Sequence, residues 1–183
     1  MTNTYPFTVL GDEFKGKRVL VTGGTKGMGV AMVRRFQLGG AQVATTARSE
    51  SSSLPEGVLF LKADNASVED IKSAAAHIER KWGGLDILVN NVGGSQAKPG
   101  GIEMLTDQDW ETVLSVNLLG AIRLDRAFLH GMLERKSGSI IHIGSISHVM
   151  PFPNTVLAYS TAKAALRAYS NGLSKAQMGC SQI

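Results

Sequence analysis

Short apolar runs alternate along the chain with longer segments of helical periodicity. The runs are rich in Val, Ile and Leu, and they predict strands. They cover residues 18–22, 42–46, 58–62, 85–90 and 139–143. The segments between them place apolar residues three and four positions apart, which predicts helices. These segments cover residues 27–38, 68–82, 107–134 and 158–178.

Two of the helices carry start signals. Ser67 precedes the second helix and Asp70 follows three residues later, so Ser67 is the predicted N-cap. Thr106 or Asp107 is the predicted cap of the third helix. The second helix carries its apolar residues on one face, which predicts its buried side. They are Ile71, Ala75, Ile78 and Trp82.

The strand runs are nearly continuous in apolar residues rather than alternating. This pattern is expected when helices cover both faces of a sheet. Strands separated by helices imply right-handed βαβ units and parallel pairing. We therefore predict an α/β fold with a doubly wound parallel sheet in three layers. That architecture does not by itself specify a function.

The composition predicts a globular chain of one domain. The 183 residues are 43% apolar and 19% charged, which excludes a disordered or collagen-like chain. We predict one domain over residues 1–183, with an N-terminal extension over 1–15 and an atypical tail over 176–183. Cys180 is the single cysteine, so no intrachain disulfide can form. A cytoplasmic location is the corresponding prediction.

Charge and motif spacing argue against several other classes of protein. The net charge is +4, and the basic residues are scattered without interleaved aromatic residues, so no nucleic-acid partner is predicted. No apolar run approaches the length of about 18 residues that a membrane helix needs, so no membrane partner is predicted. The four histidines lack metal-ligand spacing, and no Ser–His–Asp arrangement is apparent. Neither a metal site nor nucleophilic hydrolysis is therefore predicted.

A glycine-rich turn follows the first strand and leads into the first helix. It reads TGGTKGMG from Thr22 to Gly29. Glycine permits close backbone approach, and free N–H groups at a helix N-terminus suit a phosphate. The spacing is TGxxxGxG rather than GxGxxG, and no Gly-Lys-Ser/Thr follows as it would in a P-loop. Taken alone, the turn also fits a tight strand-to-helix connection.

Further motifs follow the turn in order along the chain. They are Asp64-Asn65 after the third strand, Asn90-Asn91-Val92-Gly93 after the fourth, N-x-x-G at 117–120, Ser145 after the fifth, and YxxxK at 159–163. This set, in this order, resembles the short-chain dehydrogenase/reductase family over roughly residues 14–175. The resemblance implies a Rossmann-type sheet of strand order 3-2-1-4-5. It also implies hydride transfer between a nicotinamide cofactor and a carbonyl or secondary alcohol.

The resemblance implies a role for each motif residue. Tyr159 would exchange the proton of the substrate oxygen, and Ser145 would polarise the carbonyl. Lys163 would hold the nicotinamide ribose, and Asn117 would hold a water that relays protons to Lys163. Asp64 would meet the adenine ring, and residues 91–93 would pass beneath the adenosine ribose. The implied cofactor-binding residues are Gly23, Thr25, Lys26, Gly27, Met28, Gly29, Arg48, Asp64, Asn65, Asn91, Val92, Gly93, Tyr159 and Lys163.

The residue chemistry fits these catalytic roles and also allows simpler ones. Tyr159 and Lys163 share a helix face, and an ammonium beside a phenol favours the phenolate; a solvated pair is the alternative. Ser145 follows a strand at the edge where ligands bind, or it caps a turn. Asn117 is polar in an apolar segment, and bonding to backbone is its alternative. His148 lies in the next loop and is a candidate substrate contact.

The second strand bears on the choice of nicotinamide cofactor. Enzymes that use NAD place an acidic residue there for the ribose 2′-hydroxyl. Here the strand ends in Thr46-Ala47-Arg48, and Lys26 lies in the glycine turn. Two cations at this place suit a 2′-phosphate. We therefore predict NADP(H) over NAD(H), with solvated surface charges as the alternative.

The chain departs from the family pattern at its C-terminal end. The family continues past the YxxxK helix into a sixth strand, a helical lid and a seventh strand, whereas this chain ends at Ile183. We therefore expect a C-terminally truncated fold with its fifth strand at an edge and apolar surface exposed. A catalytically impaired nucleotide-binding or interaction protein is the alternative function. The family also implies a homo-oligomer, a dimer or tetramer, formed through helices 107–134 and 158–178.

Overall fold

A computed structural model describes residues 10–49, 51–95, 101–151 and 156–178. Within them, five parallel strands form one sheet. They are β1 (Arg18–Thr22), β2 (Gln42–Ala47), β3 (Leu59–Lys62), β4 (Ile87–Asn90) and β5 (Ser139–His142). Their order is β3-β2-β1-β4-β5. The predicted fold class and strand order are confirmed.

Helices follow the strands as the apolar periodicity predicts. They are α1 (Gly27–Leu38), α2 (Val68–Trp82), α3 (Asp107–Leu114), α4 (Gly120–Glu134) and α5 (Leu157–Met178). The hydroxyl of Ser67 accepts the amide of Asp70 and so caps α2. Thr106 caps α3 and exchanges hydrogen bonds with Asp109 in a capping box. Both caps were among the sequence predictions.

The segment predicted as one helix over 107–134 is interrupted, so that prediction is wrong at its middle. A π-helical turn, Ser115–Leu119, joins α3 to α4. Within it, the side-chain amide of Asn117 donates to the carbonyl oxygen of Val113 at 2.9 Å. In a regular α-helix the backbone N–H of residue 117 would use that acceptor. The competing side chain favours the wider turn, and such turns are frequent at functional sites.

Two apolar clusters pack on opposite faces of the sheet, because successive strand residues point to opposite sides. One joins the strands to α2 and α4, and its members include Leu20, Leu88, Ile71, Ile78, Leu124 and Phe128. The other joins the strands to α1, through Val19, Val21, Val43, Val89 and Val33. α5 lies on the α2–α4 side, where Ser170 meets His142 of β5 at 3.0 Å. The predicted three-layer arrangement is thus present.

β5 forms an edge of the sheet, as expected from the sequence. Ile140 packs into the α2–α4 cluster, whereas Ile141 points to the other face and is 42% exposed. On that face α1 lies against β1 and β2. Apolar surface is therefore exposed at β5. None of the described helices is long and apolar enough to cross a membrane.

The predicted terminal segments are described in part. Phe14 packs its ring on Phe36, with 4.9 Å between centroids, and its amide donates to the carbonyl oxygen of Gly39. The end of the predicted extension therefore packs on α1. At the other end α5 continues to Met178, so the predicted tail from residue 176 begins inside this helix. Residues 1–9 and 179–183, including Cys180, lie outside the described residues.

Candidate active site

The glycine-rich turn brings the end of β1 against the start of α1. Gly23 and Gly27 have positive φ angles of 69° and 54°, a region that favours glycine. A Cβ at Gly29 would overlap the carbonyl oxygen of Gly23, so only glycine allows this approach. The first turn of α1 contains no acidic residue. Its N-terminal N–H groups therefore form a local positive site for an anion.

The loop after β4 is tied to the end of β1. The hydroxyl oxygen of Thr22 accepts the amides of Asn91 at 2.9 Å and Val92 at 3.0 Å. The side-chain amide of Asn91 donates back to the carbonyl oxygen of Thr22 at 2.8 Å. These bonds hold residues 91–93 next to the glycine turn. Asn91 thus holds this loop against the end of β1, in addition to any contact it makes with a ligand.

A cavity of about 620 Å³ opens at the carboxyl edge of the sheet. It is lined by every predicted cofactor-binding residue except Tyr159 and Lys163. Those lining residues are Gly23, Thr25, Lys26, Gly27, Met28, Gly29, Arg48, Asp64, Asn65, Asn91, Val92 and Gly93. The position agrees with the rule that ligands of open α/β sheets bind beyond the carboxyl ends of the strands.

Further cavity residues were missed from the sequence: Ala47, Ser49, Ala63, Ala66, Gly94, Thr112 and Val116. Most of them flank a predicted residue, and that adjacency was an available signal. Val116 precedes the predicted Asn117 and so shares that signal, whereas Thr112 had none, because α3 reaches the cavity only through tertiary packing. Asn65 contributes to that packing, since its side-chain amide donates to the carbonyl oxygen of Val116 at 3.1 Å.

Asn117 is buried at the inner end of the site. Its Oδ1 accepts the amide of Gly94 at 2.9 Å, and its Nδ2 donates to the carbonyl oxygens of Gly94 and Val113. The backbone-bonded alternative for this side chain is therefore present. These bonds fix the loop after β4 against the π-helical turn.

Lys163 is a buried cation on α5. Its Nζ donates to the carbonyl oxygen of Ile143 at 2.8 Å and lies 5.8 Å from the ring centroid of Tyr159. Burial lowers the pKa of Lys163 below its usual range, because desolvation disfavours the charged form. The predicted i, i+4 pair thus shares one face of the helix, and its lysine is oriented by the end of β5.

Gly93 lies between the cavity and this buried lysine. It lines the cavity, and a Cβ built on it would lie 2.9 Å from Lys163 Nζ and 3.1 Å from Asn117 Oδ1. Such distances are shorter than ordinary side-chain contacts, so any larger residue would displace its neighbours. Two of the four predicted catalytic residues therefore meet at the wall of the cavity.

Ser145 lies three residues after β5 and is half-buried. Its Oγ accepts the amide of Ser147 at 3.2 Å and contacts the Ser147 hydroxyl at 2.9 Å. Ser147 is buried, so Ser145 is the more accessible of the two hydroxyls. The imidazole of His148 bonds the carbonyl oxygen of Ser145.

Comparison with known proteins decides the family. The family model for short chain dehydrogenases matches residues 17–178. The chain belongs to the short chain dehydrogenase family. It is 34% identical to the short chain dehydrogenase pigC of Monascus ruber, an alignment that covers 92% of this chain and 60% of that protein.

Two other similar proteins bear names that mention a cofactor. The chain is 35% identical to the NADP-dependent 3-hydroxy acid dehydrogenase YdfG of Salmonella typhi, over 85% of this chain and 64% of that one. Its structure resembles L-sorbose reductase from Gluconobacter frateurii, solved with NADPH and L-sorbose. The TM-score is 0.84 at 29% identity, over 93% of this chain and 68% of the reductase. The chain spans less than two thirds of the length of the two curated relatives.

This short chain dehydrogenase chain also contains a Ser–His–Asp arrangement that the sequence did not reveal. His142 contacts Ser170 through Nδ1 at 3.0 Å and Asp125 through Nε2 at 2.9 Å. Asn90 donates to the other oxygen of Asp125 at 2.8 Å. Burial and the adjacent Asp125 raise the pKa of Tyr169 above its usual range.

The burial of this arrangement gives it a structural role. The side chains of His142 and Asp125 are only 6% and 0% exposed. Their hydrogen bonds join β4, β5, α4 and α5. The expectation that the chain has no Ser–His–Asp arrangement is thus wrong, although the burial of His142 and Asp125 argues against nucleophilic catalysis by Ser170. Within the described ranges, no three His, Cys, Asp or Glu side chains cluster as metal ligands.

Proposed function

We propose that the chain transfers a hydride between NADP(H) and a small carbonyl or secondary alcohol. The observation that carries this proposal is the position of Gly93, which lines the cavity and lies against Lys163 and Asn117. There a phosphate-compatible cavity of about 620 Å³ ends against the buried Lys163 and Asn117. Gly23 and Gly29 let the end of β1 and the start of α1 pack closely, and at Gly27, which lines the cavity, a Cβ would meet nothing within 4 Å. Names of relatives that mention NADP and NADPH support the same reading.

Each catalytic side chain then has a defined task. The bound nicotinamide supplies the hydride chemistry. Tyr159 exchanges the proton of the substrate oxygen, and Lys163 lies on the same helix face, with its Nζ 5.8 Å from the centroid of the Tyr159 ring. Ser145 donates its hydroxyl hydrogen to the substrate carbonyl oxygen as negative charge develops there. Asn117 fixes the loop after β4 through Gly94 and supports a water beside Lys163.

The preference for NADP(H) over NAD(H) is part of this proposal. Lys26 and Arg48 both line the cavity and are exposed to solvent there. β2 ends in Ala47 and carries no acidic residue that would bind a ribose 2′-hydroxyl. A guanidinium fork suits a 2′-phosphate. The two cations therefore favour the phosphorylated cofactor.

The Arg48→Ala variant tests this preference by fluorescence titration with NADPH and NADH. A hydrogen bond to a charged group contributes about 1.5–3 kcal/mol. We therefore expect the NADPH/NADH affinity ratio to fall roughly 10- to 100-fold. Arg80→Ala, on the exposed side of α2, is the matched control and should leave the ratio unchanged. An unchanged ratio in Arg48→Ala would contradict the assignment.

Turnover is tested separately with a panel of an aliphatic ketone, an aromatic aldehyde, a β-keto ester and a quinone. Oxidation of NADPH that depends on the carbonyl and is lost in Tyr159→Phe supports the proposal. Saturable NADPH binding without oxidation by any member would instead indicate the nucleotide-binding alternative.

We also propose a homo-oligomer, a dimer or tetramer, formed through α4 and α5. The outward residues of α5 include the small, exposed Ala164, Ala168 and Gly172 at intervals of four. Small side chains on one helix face allow a second helix to approach closely. The cytoplasmic location stays a prediction.

A further inference from the structure

His148 uses both nitrogens of its imidazole within the protein. Nδ1 bonds the carbonyl oxygen of Ser145, in the loop after β5. Nε2 contacts Nη1 of Arg167, on α5, at 2.8 Å. The ring therefore spans the gap between the loop that carries Ser145 and the helix that carries Tyr159 and Lys163.

The partners of the ring fix its tautomer. A carbonyl oxygen can only accept a hydrogen bond, so Nδ1 must carry the proton. A guanidinium can only donate, so Nε2 must present its lone pair. A charged imidazolium would turn an N–H toward Arg167 and place two cations in contact. Only the neutral Nδ1–H tautomer satisfies both neighbours.

This link is one of several between α5 and the chain at the end of β5, where Ser170 also contacts His142 at 3.0 Å. Lys163 already donates to the carbonyl oxygen of Ile143, two residues before Ser145. Arg167, one helical turn after Lys163, reaches Ser145 through the imidazole. The helix that carries the catalytic tyrosine thus holds the chain at two points. One is the backbone on the N-terminal side of Ser145, and the other is the carbonyl group of Ser145 itself.

We infer that His148 is a positioning residue that, as the neutral Nδ1–H tautomer, ties the backbone of Ser145 to Arg167. It is not a substrate contact, because neither ring nitrogen is left for a substrate. The inference rests on the proposed function, in which Ser145 polarises the substrate carbonyl. Its structural part, the tautomer and the link, can be measured without turnover.

Nitrogen NMR of the full chain labelled with ¹⁵N-histidine tests the link directly. The resonance pair that disappears in His148→Asn identifies His148 among the four histidines. At mildly alkaline pH we expect the Nδ1–H tautomer in the unsubstituted protein. Arg167→Met should move the Nε2 resonance, because Nε2 loses the N–H donor that it faces, while Nδ1 keeps its proton toward the Ser145 carbonyl oxygen. Arg80→Met, on α2, is the matched control and should change nothing.

Steady-state kinetics with NADPH and the fastest carbonyl of the panel test the positioning role. His148→Leu removes both bonds, and we expect kcat to fall about 10-fold or more. The reason is that a shift of about 1 Å in a catalytic group can lower the rate on the order of 100-fold. His148→Asn keeps a donor near the position of Nδ1 and should retain more of the rate. The dissociation constant for NADPH should be unchanged in both. His130→Asn is the control, because that side chain is 83% exposed on α4.

The outcomes separate the inference from the proposed function. An Nε2–H tautomer or an imidazolium in the unsubstituted protein would overturn the link. The expected tautomer with a wild-type kcat in His148→Leu would overturn the positioning role. If the unsubstituted protein reduces no carbonyl, the proposed function fails, and the tautomer measurement still decides whether Ser145 is tied to Arg167.

Discussion

At the scale of single residues, close packing around the glycine turn sets more constraints than the motif itself suggests. Gly24 was not among the predicted cofactor-binding residues and does not line the cavity. Its amide nevertheless donates to the hydroxyl oxygen of Thr45 at 2.9 Å, and that hydroxyl donates to the carbonyl oxygen of Val21. A Cβ at Gly24 would overlap Thr45 and would lie 2.6 Å from Val33.

We therefore expect Gly24→Ala to lower the free energy of unfolding by about 1–3 kcal/mol, the usual cost of overpacking. Gly11→Ala is the control, because a Cβ there meets nothing within 4 Å. It should stay within about 0.5 kcal/mol of the unsubstituted chain. Urea unfolding measures both variants. Equal stability of the two would show that Thr45 and Val33 can move aside.

At the scale of elements, an ion pair fixes the starts of two neighbouring strands. Arg18 begins β1, and Asp86 immediately precedes β4. The guanidinium donates to both carboxylate oxygens of Asp86, at 2.6 and 2.9 Å, and the amide of Arg18 adds a third bond. The Arg18 side chain holds the pKa of Asp86 at about 2, below the ordinary value of 3.8.

This depressed pKa predicts a pH-dependent stability. The contribution of Asp86 is fully present above the unfolded-state pKa of 3.8 and is lost as pH falls toward about 2. We expect Asp86→Asn to lower stability at neutral pH by on the order of 2 kcal/mol, and the difference from the unsubstituted chain to shrink below about pH 4. Thermal unfolding across this pH range measures it.

Glu111→Gln provides the control for Asp86→Asn, since this exposed carboxylate lies on α3 away from the strands. It should change stability little at any pH. A constant difference between Asp86→Asn and the unsubstituted chain from neutral to acidic pH would contradict the coupling between the ion pair and proton binding.

Also at the element scale, the sequence predicted the type and order of the helices and strands well. α1 and α2 have the predicted bounds because apolar spacing, the glycine-rich turn before α1 and the Ser67 cap of α2 are local signals. The π-helical turn at Ser115–Leu119 was not predictable in that way. Asn117 changes the helix there because its side chain bonds both Val113 and the distant Gly94.

At the scale of the whole molecule, the proposed oligomer gives a test of the helical surface. We expect light scattering to report a mass of at least two chains. A bulky charge on α5, as in Ala168→Arg, should shift the mass toward one chain because it blocks close helix approach. Ala76 is exposed on α2, so Ala76→Arg is the matched control and should leave the mass unchanged. A monomer in the unsubstituted protein at every concentration would contradict the oligomer.

The sequence by itself determined the element order, the parallel doubly wound class and the positions of the motifs that are predicted to bind a cofactor. These follow from short-range patterns: apolar periodicity, caps, and glycines between a strand and a helix. The carboxyl ends of parallel strands share one edge, so the motifs that follow β1 to β4 were bound to meet. That is why the cavity is lined by nearly all the predicted residues.

Only the tertiary structure decided which side chains from distant segments meet. Asp125, His142 and Ser170 come from three elements, and His148, six residues after the end of β5, meets Arg167 of α5. Contacts between side chains of different elements depend on the rotation of each helix about its axis and on the backbone conformation of each loop. No local pattern encodes these quantities. Packing fixes them, because a buried polar group is stable only where a partner satisfies it.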